Sequence, residues 1–433
     1  MTCNTIKNNA LYLHKITQII QDINEIGEIF TLQNSNHKFG LKKLKTKKID
    51  LSSLNNILEF NPTQNYIEVE SFVKIKQILT FLRKNKYTLP VIPDMDHLTM
   101  GGIISGIGGG SKSFKNGFFH DIMIDCDLLL PNGEIKYCSK TINSELFYSI
   151  PNTLGTIGYI TKIKLKIIKY IPYVHVTNLK FNNQYDYFNK ISEIVDDNDI
   201  DYLEGTIFSP TNFVLMIGRS ISQKPHKIDN FINNKIYWQS IQEDNEHYFK
   251  TNEYIYRWDT DLYYTSINDF IPPILKNTTL RKFIPKFLIN PIRDLVPKLG
   301  IKTNIDMELI VQDVLIPIEN SNKFFNWYKK KIKLYPIYIC PGQQQSEEFN
   351  FFDNKLFIDF GIGYGVFFKE NNDLYCKLIE QKMLELNGLK FLYSKQQMTY
   401  DDFWSMYDKE YYDYIRSKYN IKLPDLYTKI KNN

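Results

Sequence analysis

PVIPDMDHLTMGGIISGIGGGSKSFKNG, residues 90–117, is the stretch on which the reading of this chain turns. Seven glycines fall between Thr99 and Gly117: Gly101, Gly102, Gly106, Gly108, Gly109, Gly110 and Gly117. Glycine lets backbone N–H groups approach an anion with no Cβ in the way, and successive N–H groups in such turns form a concavity suited to a pyrophosphate. Thr99 and Ser105 add hydroxyls, and Lys112 and Lys115 add charge. No GxxxxGK[ST] is present, which excludes a P-loop, and no GxGxxG opens a helix with an acid about 20 residues on, as a Rossmann site requires. Taken alone, the run reads equally as a flexible loop or a close-packed turn.

Outward from it, a second glycine pair, Gly155 and Gly158, sits in NTLGTIGYI (152–160) just before an alternating segment, ITKIKLKI (160–167). Between the two lies DLLLPNGEIKY (127–137), which predicts a hairpin with Asn132-Gly133 in a tight primed turn. Two glycine segments flanking a hairpin point to a cofactor held along its length by backbone. Further out, the periodicity predicts a helix over 11–26, a strand over 66–70 and a helix over 73–84, with two closing helices over 373–387 and 399–418. The proline-punctuated KYIPYV (169–174) marks a boundary near Lys169. The fold class is α+β, and no internal repeat is visible.

With 43% hydrophobic and 15% aromatic residues in 433, the chain is long enough for two or three domains and too apolar to be disordered. Lys and Arg number 53 against 48 Asp and Glu, a balance that argues against a nucleic-acid partner. One basic cluster, KFGLKKLKTKK (38–48), reads first as a solvated surface loop and second as a phosphate or membrane contact. Five scattered cysteines without a CxxC exclude a disulfide framework and a structural zinc site, so no metal is expected. With neither a membrane span nor a secretory leader legible, the expectation is a cytoplasmic protein, at most peripheral to a membrane.

The order LPVIPDMDHLTMGGIISG, KNGFFHDI, DLLLPNGEI, SELFYSIPNTLGTIGYITKIKLKII resembles the PCMH-type FAD domain of the vanillyl-alcohol-oxidase superfamily. Within it the pattern is similar to the delta-24 sterol reductase (Diminuto/Dwarf, seladin) family. The likeness continues through LEGTIFSP (203–210), IVQDVLIPI (310–318), YPIYICP (335–341), LFIDFGIGYG (356–365) and FLYSKQQMTYDDFWSMYD (391–408). It implies a two-subdomain FAD-binding domain over 1–170 and an α+β cap or substrate domain over 171–433. On the matching positions, Pro93, Thr99, Gly101, Gly102 and Gly106 would line the ribityl and pyrophosphate path. Ser111, Asn116 and Gly117 would continue toward the flavin, and Gly155, Thr156, Gly158 and Ile160 would close over the adenosine end.

The resemblance implies NADPH as reductant and a sterol side-chain double bond as acceptor, which places the chain in lipid and sterol metabolism. An isolated alkene accepts hydride only with a proton at its other carbon, so an acid in a water-poor cavity is needed. Candidate catalytic residues are Asp259, Glu308, Asp359 and Tyr364, with Asp261, Asp313 and Tyr335 nearby in sequence. For each acid the competing reading is a carboxylate paired with Arg257 or a Lys, or facing solvent. Three departures from the family pattern stand out. The first pyrophosphate loop, expected over Leu32–Gly40, is short, holds one glycine and lacks the family's basic residue. His37 lies in no RxxGH-type context, so non-covalent FAD is expected. The family's N-terminal anchor is not matched. The apolar and basic stretch 280–302 is a candidate membrane-surface contact, or equally a cap loop with snorkelling lysines. Two alternatives stand beside the reductase: an FAD-dependent oxidase or dehydrogenase acting on an alcohol or sugar, and a non-catalytic lipid- or partner-binding protein that has lost FAD.

Overall fold

The alternating segments form strands and the helical periods form helices. The computed structural model describes residues 3–33, 45–229, 231, 237–258, 308–349, 355–363, 367–368, 372–394 and 396–431. They make two compact units. The first comprises Met1–Tyr170, Gly342–Phe357 and Asn387–Asn433; the second comprises Ile171–Pro341 and Ile358–Leu386. This partition differs from two consecutive spans divided at residue 170, because two later segments rejoin the first unit.

The first unit is built on five strands, β1 (Ile57–Asn61), β2 (Tyr66–Glu70), β3 (Met123–Leu129), β4 (Ile135–Ser139) and β5 (Tyr159–Lys166), in the order β1-β2-β5-β3-β4, every pair antiparallel. Buried Ile163 and Leu165 alternate with more exposed lysines along β5, giving one dry and one wetter face. The opening helix, Cys3–Ile26, buries Tyr12, Ile16, Ile19 and Ile23, a single stripe at helical spacing. Its Tyr12 hydroxyl donates to Asp127 at 2.9 Å. Cys126 and Cys138 lie opposite one another on β3 and β4, both buried and free.

Two local expectations are corrected. The 130–134 hairpin turn is not primed: Gly133 has φ +84° but Asn132 is not in the left-handed region. Pro131 fixes φ near −65°, and Gly133 N–H closes a turn on the Leu130 carbonyl at 3.0 Å, so the single left-handed residue is the glycine of a bulge. The helix expected over 399–418 is two helices, Tyr400–Trp404 and Lys409–Lys418. Asp408 sits between them at a non-helical ψ of 87° and its carboxylate accepts the Tyr411 N–H at 2.9 Å, starting a new helix.

The second unit repeats one element order twice. Strand β6 (Tyr173–Phe181), helix Gln184–Ile194 and strands β7 (Tyr202–Ser209) and β8 (Asn212–Ile221) make the first set. After β9 (Glu246–Lys250), the second set follows as β10 (Gln312–Pro317), helix Ile318–Lys331, β11 (Ile337–Gln343) and β12 (Leu356–Ile362). The sheet order is β9-β6-β8-β7-β11-β12-β10, which places the two sets side by side at the β7–β11 seam. Phe188, Phe213, Phe324, Phe325 and Phe360 stack between the two helices and the sheet. Together the units are α+β. Among the described residues no helix is long and apolar enough to cross a membrane.

Candidate cofactor and active site

The glycine run folds as two short helices, Met100–Ser105 and Ser113–Asn116, joined by extended chain. Steric room explains its composition. A Cβ on Gly101 would stand 3.0 Å from the Ser71 Cβ, and one on Gly110 would overlap the Ile92 carbonyl oxygen beside Pro93. Gly117 has φ +79°, and a side chain there would collide with the Asp121 carboxylate that accepts the Phe118 N–H at 2.8 Å.

Thr99 caps the first helix with its carbonyl, which accepts the Ile103 N–H at 3.0 Å, and its hydroxyl lies beside Gly102. Ser105 returns its hydroxyl to the Gly101 carbonyl at 2.9 Å. Asn116 donates to the Pro90 carbonyl at 3.4 Å, and Ser111 is buried.

The two glycine segments meet. The Leu154 N–H donates to the Ser105 carbonyl at 2.9 Å, and Ile160 on β5 faces Gly101. In the second segment Asn152, Leu154 and Gly155 all have positive φ (59°, 49° and 77°). Gly158 leaves no room for a Cβ, which would lie 2.9 Å from the Leu129 carbonyl oxygen. Among the described residues no acceptor is found for the N–H groups of Gly102, Gly109, Ser111, Gly155 and Ile157. The buried Ser71 hydroxyl beside Gly101 likewise has no partner. Backbone N–H groups rarely stay unpaired in a protein interior, and this donor-rich backbone fits a phosphate-bearing dinucleotide.

All twelve residues singled out for a cofactor are therefore described and adjoin the two segments. The other half of the expected cradle, Leu32–Gly40, is different: residues 34–40, including His37, lie outside the described residues, as does most of the basic cluster at 38–48.

Of the candidate acids, Asp259, Asp261 and Tyr364 lie outside the described residues, and so does the stretch 280–302. Glu308 opens a two-residue strand paired with Phe367–Phe368, and only its backbone is described. Asp359 and Asp313 stand on β12 and β10, neighbours in the second unit's sheet. Asp313 is fully buried, and the Oδ1 of Asp359 is buried with no hydrogen-bond partner. Burial, reinforced by the neighbouring Asp313 carboxylate, pushes the Asp359 carboxyl well above the usual range, so it holds its proton. Burial alone pushes the Tyr335 phenol up to about 12.

Arg257, offered above as a structural partner for these acids, is committed elsewhere. Its guanidinium holds Glu204 through Nε at 2.8 Å and through Nη2, and Trp258 and Tyr338 donate to the same carboxylate at 3.3 and 2.9 Å.

One residue that the sequence reading passed over stands out in the first unit. His120, in KNGFFHDI, is wholly buried between Phe118 and Phe349. Gln344 donates through its Nε2 to the Ser346 and Phe349 carbonyls, which leaves its oxygen to accept from His120 Nε2 at 3.1 Å. Burial holds the ring's pKa down, so it is neutral with its proton on Nε2. Nδ1 is then a buried acceptor with no partner. A histidine inside an aromatic pair was the available signal.

The family model described as an FAD binding domain matches residues 14–139. A curated "Delta(24)-sterol reductase homolog" of Caenorhabditis elegans is 25% identical over 428 residues, covering 91% of this chain and 80% of its own length. The "Delta(24)-sterol reductase" of Homo sapiens is 27% identical over 411 residues, with 90% and 78% covered, and that of Pisum sativum 26% over 427, with 87% and 75%. Over about nine-tenths of its length the chain is similar to delta(24)-sterol reductases, and its first part matches the FAD binding domain model. These relatives match across both units, so the similarity extends to the second-unit motifs as well as the glycine segments. "Cytokinin dehydrogenase 2" of Arabidopsis thaliana is 32% identical, but over only 27% of this chain.

Proposed function

We propose that this chain is an FAD-dependent oxidoreductase that reduces a carbon–carbon double bond in a sterol side chain, with NADPH as the electron source and FAD held without a covalent bond. The observation that carries the reading is similarity to named sterol reductases over about nine-tenths of the chain, supported by glycine segments whose backbone N–H groups lack acceptors among the described residues. Such breadth favours neither an alcohol or sugar oxidase nor a non-catalytic binder.

The twelve residues Pro93, Thr99, Gly101, Gly102, Gly106, Ser111, Asn116, Gly117, Gly155, Thr156, Gly158 and Ile160 are proposed to hold the dinucleotide. They belong to a cofactor domain made of 1–170 with 342–357 and 387–433; the remaining residues form the cap. Bound FAD supplies hydride transfer between the nicotinamide and the substrate carbon. Asp359 keeps a proton on a buried carboxyl oxygen, available to the second alkene carbon, while Asp313 beside it discourages ionisation. A location in the cytoplasm, peripheral to a sterol-bearing membrane, fits this substrate.

Purified protein should be yellow. Its flavin absorbance should bleach under anaerobic NADPH and recover on adding a sterol with an unsaturated side chain. Colourless protein that takes up no FAD, or bleaching by a polyol but not by NADPH, would overturn the reading. Denaturation and filtration should release the flavin.

A further inference from the structure

The turn that carries Gly155 is gripped from the later part of the chain. Lys429 Nζ donates to the Leu154 carbonyl, and Arg416 Nη1 donates to the Thr156 carbonyl at 2.7 Å. Arg416 is itself held at its other end by the Leu423 carbonyl. The Tyr412 hydroxyl donates to Thr156 Oγ1 at 2.8 Å and accepts the Leu426 N–H at 2.9 Å, and Thr156 passes its own proton to the Thr153 carbonyl at 2.8 Å. All these residues belong to the first unit.

Peptide geometry gives the grip a consequence. A trans peptide points its C=O and N–H to opposite sides. Fixing the carbonyls of Leu154 and Thr156 therefore fixes the N–H groups of Gly155 and Ile157 on the side away from the two cations. Those are the two N–H groups of this turn with no acceptor among the described residues. Gly155 at φ +77° and Leu154 at φ +49° would be free to re-pair if the carbonyls were released. The two cations also raise the positive potential of a turn meant to meet a phosphate or ribose. A packing role alone would not need both charges spent on carbonyls of the same three-residue stretch.

Resting on the flavoprotein reading above, we infer that Arg416 and Lys429 are positioning residues for FAD, holding the Leu154–Ile157 turn so that its N–H groups face the adenosine half of the cofactor. Neither is claimed to touch FAD.

The test is titration of deflavinated full-length protein with FAD and, separately, with FMN, which lacks the adenosine half, following flavin fluorescence. R416A and K429A should each weaken FAD binding by about tenfold, the effect of losing a charged hydrogen bond, and leave FMN binding unchanged. R416K, which keeps the charge but cannot reach both carbonyls, should fall between wild type and R416A. Unchanged FAD binding in R416A and K429A overturns the inference, and so does equal loss for FAD and FMN, which marks a merely structural role. Wild-type protein that binds neither flavin sinks the flavoprotein reading itself and the clamp with it, an outcome distinct from the other two.

Discussion

Leu154 and Ser105 are joined by an amide-to-carbonyl hydrogen bond of 2.9 Å, and that bond ties together the two glycine segments, about fifty residues apart in sequence. Their close packing depends on absent side chains. Gly101→Val should push against Ser71 and Ile160, cost on the order of 1–3 kcal/mol in urea unfolding, and weaken FAD binding at least tenfold. A variant that retains wild-type flavin content would count against these segments as the cofactor's seat.

Asp359→Asn separates catalysis from stability. If Asp359 is the proton donor, turnover should fall by roughly 10²-fold or more while the protein still bleaches with NADPH. Its raised carboxyl pKa sets the sign of the stability effect. The fold prefers the protonated form, so that preference is fully present below about pH 4, the unfolded value, and is lost as pH rises through the folded value. Asn cannot ionise, so D359N should melt higher than wild type at neutral pH and no higher at pH 3. Equal turnover in the two proteins would remove Asp359 from the mechanism.

Glu204 and Arg257 form a bidentate pair with almost no exposure, capped by Trp258 and Tyr338. Removing one partner strands the other charge. Arg257→Met should destabilise the second unit by about 3–5 kcal/mol, and E204M/R257M should cost less than R257M alone. Urea midpoints of the three proteins check this, and a double mutant worse than the single would contradict it.

His120 should stay neutral to below its ordinary pKa, with nitrogen NMR reporting a protonated Nε2 and a bare Nδ1. Because burial lowers its pKa, the stability it contributes is present above the usual histidine range and is lost as pH falls through the folded value. A charged ring at pH 6 would refute the assignment.

Much of the fold was legible because its signals are local. Alternation along Tyr159–Lys166 and the stripe Tyr12, Ile16, Ile19, Ile23 each reflect one buried face. The glycines were legible as a place of close backbone approach because steric exclusion calls for so many together. What escaped was non-local or a balance of small effects. The doubled strand–helix–strand–strand order of the second unit left no repeat in the sequence, since hydrophobic packing accepts many side chains of similar volume. The break at Asp408 depends on one cap overriding a helical period. The return of 387–433 to the first unit is set by pairings such as Arg416 to Thr156, 260 positions apart, which no spacing rule can find. Asp359 was named among several acids, but its nearness to Asp313 is a property of sheet order rather than of sequence.

That return also sets a schedule for synthesis. Residues 1–170 leave the ribosome with both glycine segments already encoded, yet the lysine and arginine that hold the second of them follow only after the whole intervening unit. At 5–20 residues per second the gap is on the order of 10–50 s. During it the nascent first unit carries an apolar surface made to receive Tyr412, Ile415 and Leu426, with nothing yet to cover it. Flavin capture should therefore be a post-translational event, and a nascent chain stalled before residue 387 should bind chaperone rather than cofactor.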